Sequence, residues 1–385
     1  MVTGSGGGLE HKNSFLTMSN LYITRTRGAY LGWLSLVAHE YFHNWNVKRL
    51  RPVELGPFDY ETERQTTMLW VAEGFTDYYG DLLVRRAGLY SDTEYLGVLS
   101  GAITAVQGTP GRQVTPVNMA SYDTWIKQYR PDENTANTTV DYYPKGAVIA
   151  FLLDAKIREA TKGAKTLDDA MALAFQRYGG DAGYTPAQFY ATMSEVAGTD
   201  LMPFFRSAAE STDELDFTGA LAYYGLRFAP STMTGAADLG TLTKNDAGRL
   251  VVSGVRRGTP AIAAGVNVDD EILAIDGVRV RADGLTARLA QYRPGDKVAL
   301  LVARRDRVMT LDVTLGNTPT DVAFAPDGRL VATVGQDGRL CVCDATDGTI
   351  RRSWSVGEGA LFGVAWSPDG RTLACGGVGR SVSLF

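Results

Sequence analysis

Three histidines occur in the 385 residues, and two of them, His39 and His43, stand four apart in the string HEYFH. Positions four apart on a helix share one face, so the two imidazoles can offer nitrogens to a single metal ion. Glu40, one residue further on, can reach a water held by that ion. The flanks suit a helix: Trp33, Leu34, Leu36, Val37, Tyr41 and Phe42 supply apolar bulk and no proline interrupts. A catalytic zinc takes three protein ligands and keeps one position open. The third donor is sought downstream, in LWVAEGFTDYY, where Glu73 lies among Leu69, Trp70, Val71 and Phe75. A carboxylate in such a segment is costly unless it is paired or bound to a metal. Asp77, one turn later, can orient a histidine ring through its second nitrogen, or stand as a solvated helix residue.

HEYFH fits the H-E-x-x-H pattern of zinc peptidases, and two histidines with one glutamate form the thermolysin-type ligand set for one Zn2+ ion. The plainer readings are a structural helix with two satisfied histidines and a buried salt bridge for Glu73.

The elements that would position these groups follow in order. The opening MVTGSGGGLEHK is glycine-rich and reads either as a flexible tail or as the end of a strand bordering a cleft. In the second reading Gly7 and Gly8 line the cleft and the Glu10 carboxylate holds a peptide's terminal ammonium. Residues 14–30 read as a strand and loop with Leu21, Tyr22 and Ile23 as the strand core. The HEYFH helix follows, then a loop broken at Pro52 and Pro57, then a second long helix over residues 63–87 that carries Glu73. Residues 91–200 are mostly helical. Thr166 with Asp169 resembles a capping box, and Thr185 with Gln188 makes another, with Pro186 at the first helical position. The polar loop RPDENTANTTVDYYPKG ends at Tyr143, just before the apolar stretch AVIAFLLDAKI. A tyrosine hydroxyl at that helix start could donate to the oxyanion of a tetrahedral intermediate; a packing tyrosine is the alternative.

Composition narrows the class. With 45% hydrophobic and 21% charged residues the chain is ordinary for a soluble globular protein, and its length suggests two or three domains. A net charge of -5 gives no sign of nucleic-acid binding. No apolar run approaches the roughly 18 residues of a membrane span. The start lacks the apolar core of a signal peptide, which favours the cytoplasm, with an extracytoplasmic location if a leader precedes this sequence. The three cysteines, Cys341, Cys343 and Cys375, all lie in the last stretch, so the first half cannot use disulfides or thiolate ligands. Cys341 and Cys343 alternate on one strand face and read as core packing.

The motifs GGLEH, HEYFHNWNVKRLRP, LWVAEGFTDYY, YRPDEN and YYPKGA occur in that order, and over about residues 6–316 the chain resembles the glycyl-aminopeptidase family of gluzincin metallopeptidases, which join a thermolysin-like catalytic domain to a PDZ domain. The resemblance implies zinc ligands at His39, His43 and Glu73, a general base at Glu40 and a transition-state tyrosine at Tyr143. It makes Glu10 comparable to the glutamate that related aminopeptidases set against the substrate's amino group, and it implies release of N-terminal glycine or alanine from peptide or protein substrates. Members carry an N-terminal β-rich domain before GGLEH, and this sequence opens almost at that motif. Part of the groove and of the packing around the zinc helix is therefore expected to lie outside it.

Residues 221–316 turn to short strands with glycine punctuation and look like a PDZ domain, which binds an extended peptide or C-terminus by strand addition. The loop expected to receive a carboxylate is Leu239, Gly240, Thr241 and Leu242, after Asp238. Residues 317–385 hold two related stretches, with Asp327 and Asp369 equivalent, at the spacing of WD repeats. They read as a partial propeller whose composition does not reveal a partner. The expectation is a multidomain chain: a mostly α-helical catalytic domain over 1–220, an α+β PDZ domain over 221–316 and an all-β tail over 317–385. The expected activity is that of a zinc aminopeptidase. The alternatives are an endopeptidase with PDZ-presented substrates, and a catalytically impaired peptide-binding scaffold.

Overall fold

The computed structural model describes residues 6–59, 61–228, 237–317, 321–325, 329–334, 339–344, 349–356, 361–367, 369–377 and 382–385. The first five residues and Asp327 lie outside that set. The chain divides into two compact units, Met1–Arg227 and Phe228–Phe385.

The first unit opens with a hairpin, β1 (Gly7–Glu10) against β2 (Phe15–Met18), and then becomes helical. Its helices are α1 (Arg27–Phe42), α2 (Leu69–Ala72), α3 (Gly74–Arg86), α4 (Asp92–Gln107), α5 (Val117–Tyr122), α6 (Thr124–Lys127) and α7 (Thr135–Thr138). There follow α8 (Tyr142–Ala160), α9 (Leu167–Tyr178), α10 (Pro186–Ala197), α11 (Met202–Ala208) and α12 (Thr218–Tyr224). Side-chain oxygens place several starts. Ser91 and Glu94 form a capping box on α4, Thr166 and Asp169 one on α9, and Thr185 and Gln188 one on α10; each satisfies backbone donors that have no partner in the first turn.

The core is built around α8, which buries Val148, Ile149, Ala150, Leu152, Leu153 and Ile157 on all sides, as a helix without a wet face must. It is pinned by Asp154, a buried carboxylate that accepts from Tyr78 Oη at 3.1 Å, Tyr224 Oη at 2.9 Å, Arg158 Nε at 2.8 Å and the Leu167 backbone N–H at 2.8 Å. One acidic group thus ties α8 to α3, α9 and α12.

Two elements differ from the sequence expectation. The strand core expected at Leu21–Ile23 is a turn and a short 3-10 segment, Ile23–Arg25, and the strand is Phe15–Met18. The long helix expected over 63–87 starts only at Leu69 and is interrupted at Glu73. The interruption has a tertiary cause. Asn46 Nδ2 reaches in to bond the carbonyls of Val71 (2.9 Å) and Ala72 (3.2 Å), and a side chain inserted into the i→i−4 ladder kinks a helix. Leu9 and Leu16, on the hairpin, are more than half exposed.

In the second unit a sheet in the order β4 (Thr241–Asp246), β5 (Arg249–Val255), β6 (Glu271–Ile275), β8 (Lys297–Arg304), β9 (Arg307–Thr314) is antiparallel, with β7 (Val278–Arg279) on β6. A two-residue pairing joins β3 (Ala237–Asp238) to β10 (Gly316–Asn317), and two short helices, α13 (Pro260–Ala263) and α14 (Leu285–Leu289), complete the region. The rest is two antiparallel meanders. One is β11 (Asp321–Phe324), β12 (Leu330–Val334), β13 (Arg339–Asp344) and β14 (Ile350–Ser355); the other is β15 (Leu361–Trp366), β16 (Leu373–Gly377) and β17 (Val382–Leu384).

On β13 it is Leu340 and Val342 that point into the core, so Cys341 and Cys343 occupy the half-exposed face, where Cys341 Sγ meets Ser353 Oγ at 3.3 Å. The core-packing expectation for those two cysteines is wrong because the strand's larger aliphatic residues take the inner face; Cys375 is the buried one. Among the described residues no helix is long and apolar enough to cross a membrane.

Candidate metal centre

The centre is built where α1 meets the kink between α2 and α3. Gly80 on α3 lets the two helices approach: a Cβ there would lie 3.2 Å from the His39 backbone nitrogen. His39 lies in the last turn of α1 and His43 caps its C-terminus; their rings stand edge to face at 88°, with their Nε2 atoms 2.9 Å apart. Glu73, at the kink, brings Oε2 to 3.3 Å from each Nε2.

Both outer ring nitrogens are held. His39 Nδ1 meets Asp77 Oδ1 at 2.7 Å, and His43 Nδ1 meets the Asn46 carbonyl at 2.8 Å. Each Nδ1 donates to its oxygen partner, so Nε2 is the nitrogen of each ring that faces Glu73 and that a metal ion can take by displacing its proton. Four-coordinate zinc with bonds of about 2.0–2.1 Å separates neighbouring donors by about 3.3 Å. The two nitrogen–carboxylate separations, 3.3 Å each, match that figure, and the two nitrogens, at 2.9 Å, stand closer than it. Three converging donor atoms on braced rings and a carboxylate therefore suit one zinc ion.

Charge balance follows from the packing. Burial opposes protonation of His39, but its hydrogen bonds to Asp77 and Glu73 outweigh that and lift the ring to about 10 in the metal-free protein. Burial would raise Glu73, yet the charges and hydrogen bonds of His43 and His39 hold it well below the ordinary carboxylate range.

Glu40 is buried on the same helix. Its Oε2 has no hydrogen-bond partner among the described residues, and burial pushes its pKa up against the opposing pull of the two histidines. A carboxylate with a spare oxygen and raised basicity is poised to accept a proton. Tyr143, on the first turn of α8, stacks 6.2 Å from the His39 ring, with its hydroxyl 3.4 Å from that of Tyr129. Burial and the charge of Glu73 raise its pKa steeply, so the phenol stays protonated and can donate.

β1 closes the other side. Gly8 runs so near Glu40 that a Cβ would fall 2.1 Å from Oε1. Gly7 has φ +120 and faces open space. Carboxylate oxygens of Glu10 and Glu40 and a nitrogen of His43 lie within 4.8 Å of one another. Glu10 is already engaged, 3.0 Å from Lys48 Nζ. Residue reasoning alone did not single out Lys48, Tyr129 or Asn46. Lys48 and Asn46 stand in the HNWNVKRLRP string, but nothing in their spacing announces a contact with Glu10 or with the Glu73 kink.

Residues 32–149 match the model of the M61 glycyl aminopeptidase family. The first unit carries an M61 glycyl aminopeptidase domain. In the second unit, residues 237–315 match the PDZ domain, and residues 307–344 and 346–385 match the WD domain, G-beta repeat. The chain is similar to Aminopeptidase N of Caulobacter vibrioides, 30% identical over 204 residues that cover 52% of this chain and 20% of that protein. It is also similar to a candidate zinc metalloprotease of Neisseria meningitidis, 32% identical over 119 residues that cover 30% of this chain and 24% of that one. A solved aminopeptidase N family protein from Idiomarina loihiensis superposes with a TM-score of 0.76 at 29% identity, over 83% of this chain and 58% of that one. The chain thus spans about a fifth to a quarter of the length of these curated relatives. A metallopeptidase domain of the aminopeptidase class, followed by peptide- or protein-binding domains, is what these likenesses support.

In the PDZ domain the four residues expected to form the carboxylate loop do not act as one exposed surface. Leu239 is buried in the sheet core and its carbonyl accepts from Ala261 N–H at 2.9 Å, while the Gly240 carbonyl accepts from Arg256 N–H at 3.1 Å. Gly240 has φ +77 and presses on Thr259. Thr241 and Leu242 open β4, which lies at the sheet edge among the described residues, with Leu242 exposed.

Proposed function

We propose that this chain is a zinc-dependent peptidase that removes residues from peptide amino termini, with His39, His43 and Glu73 as the metal ligands. The observation that carries the reading is the convergence of those three donor atoms at zinc-like separations, with both histidine rings braced from behind. Bound zinc supplies Lewis acidity: it brings the pKa of water down to about 7 and polarises a carbonyl.

The chain's own groups do the rest. Glu40 takes the proton of the attacking water and returns it to the leaving amine. Tyr143 donates its hydroxyl hydrogen to the carbonyl oxygen as that oxygen gains charge. Asp77 and the Asn46 carbonyl keep the two imidazoles in the donor orientation. Glu10 would take the terminal ammonium in place of Lys48, and preference for glycine or alanine follows the glycyl aminopeptidase likeness. The edge of β4 offers a peptide main-chain partners by strand addition, and the two WD-type meanders add a further protein-binding surface.

The test is Glu40→Gln on the zinc-loaded protein. It should keep its zinc and lose hydrolysis of Ala-p-nitroanilide by at least about a hundredfold. Parental turnover in that variant, or purified protein without zinc-binding capacity, removes the reading. One observation favours a second reading, action on substrates without a free amine: Glu10 is paired with Lys48 rather than open to an ammonium. Comparison of free with acetylated peptides separates the two.

A further inference from the structure

Beside Glu10 the first unit carries a cavity of about 440 Å3 that the peptidase reading does not use. One wall is the turn from β1 to β2 with His11 and Lys12; the other walls carry Lys48, Arg49 and Arg51, and Asp181 is the lone carboxylate among the lining residues. Four permanent cations against one acid is an unusual balance for a chain of net charge -5.

Arg51 makes the case sharper. It is only 6% exposed, and its guanidinium lies 5.4 Å over the Phe58 ring. The Gly56 backbone is pressed so close that a Cβ there would fall 2.1 Å from Nε. Nη1 donates to the Gly180 carbonyl, while Nε is buried without a partner, and no carboxylate lies within ion-pair distance among the described residues. Burying a cation without an anion is costly, so the pocket holds a charge that a ligand can neutralise. Lys48 bridges to the centre: its Nζ is 3.0 Å from Glu10 and 4.8 Å from the Phe58 ring.

Resting on the peptidase reading, we propose that this basic cleft binds a carboxylate carried by the substrate on the amino-terminal side of the scissile bond. On that reading a free amine stops at Glu10, and the cleft begins one ion-pair distance beyond it. What enters is either the acidic side chain of the first residue or a carboxylate on an extension of the amino terminus. A residue spans about 3.3–3.6 Å of chain, enough to pass from Glu10 to Lys48. Lys48 then exchanges Glu10 for the incoming anion, and Arg49 and Lys12 line its approach.

The test uses the full, zinc-loaded chain. Rates on Glu- and Gln-p-nitroanilide compare a first-residue carboxylate with its neutral isostere. Rates on succinyl-Ala- and acetyl-Ala-p-nitroanilide do the same for an extension. The expected result is a kcat/KM about tenfold higher for the acid in at least one pair, the size of one hydrogen-bonded charge contact. That ratio should fall to near unity in Lys12→Glu and in Lys48→Met, and shrink between 50 and 500 mM salt, as screening requires. Calorimetric binding of succinyl- and acetyl-Ala-Ala-Ala-amide to the zinc-free protein reads the cleft without turnover and should show the same tenfold difference. Equal rates and equal affinities within both pairs, or a preference that survives both substitutions, overturns the proposal. A binding preference without hydrolysis of Ala-p-nitroanilide would keep the cleft and refute the peptidase reading; hydrolysis without any preference would do the reverse.

Discussion

Gly146 sits on α8 three residues after Tyr143, against the kink that carries Glu73, and its replacement by alanine should fail on both stability and turnover. A Cβ at Gly146 would lie 2.2 Å from the Trp70 carbonyl oxygen and 2.9 Å from the Gly74 Cα. At Gly74 the reciprocal Cβ would lie 2.4 Å from the Gly146 Cα. Non-bonded carbon contacts are comfortable at about 3.5–4.0 Å. The opposing atoms are main chain, not the tip of a side chain that can swing away. The two helical segments must therefore part by roughly 1 Å. Overpacking of this kind costs about 1–3 kcal/mol, and rigid partners on both sides place Gly146→Ala near the top of that range. For a unit the size of Met1–Arg227, each kcal/mol lowers Tm by about 2–4 °C, so a fall of about 6–12 °C is expected. The same displacement draws Tyr143 away from Glu73, and misplacement by about 1 Å costs roughly a hundredfold in kcat. Scanning calorimetry and Ala-p-nitroanilide turnover measure the two effects. Gly101→Ala on α4 is the control: nothing lies within 4 Å of its Cβ, and exchanging glycine for alanine in an open helix stabilises by about 0.5–1 kcal/mol. A Gly146→Ala protein with the parental Tm, or with the gain seen for Gly101→Ala, would refute the argument.

Gly8→Ala pushes a methyl group into the Glu40 carboxylate, 2.1 Å from Oε1; since that side chain can turn, Tm and zinc content should hold while kcat drops by about a hundredfold, and unchanged kcat would show that Glu40 is not held by β1. Asp154→Ala strands two tyrosine hydroxyls, an arginine and a backbone N–H; urea unfolding should show a loss of about 3–5 kcal/mol, and a loss below about 1 kcal/mol would mean the network contributes little. Asp77→Ala removes the 2.7 Å brace on His39, and chelator competition should report a zinc Kd raised about 10–100-fold, against an unchanged Kd if the ring orients itself.

Much of the first unit is legible in the sequence. Helix starts at Thr166 and Thr185 are local events, satisfied within four residues of chain, so the string of side-chain oxygens and prolines suffices to place them. The histidine pair was legible for the same reason: a helical period puts residues four apart on one face whatever surrounds them. The strand misassigned at Leu21–Ile23 shows the limit, because three apolar residues fit a strand or a turn equally well and only pairing across the hairpin selects Phe15–Met18. On β13 the alternation was legible but its phase was not. The inner face went to Leu340 and Val342 once neighbouring strands had packed.

What the amino-acid string determines alone is therefore a local arrangement: His39 and His43 four residues apart at the end of α1, with Glu40 between them in the chain, and an acid in an apolar segment at Glu73. Tertiary structure decided the rest. The Asn46 side chain intrudes into a distant helix and interrupts it at Glu73. Paired glycines let α8 bring Tyr143 to the centre. Lys48 takes Glu10 as a partner. Each of these joins residues about 25 or more positions apart, and which distant groups meet depends on how whole helices pack, a property no local window of sequence contains.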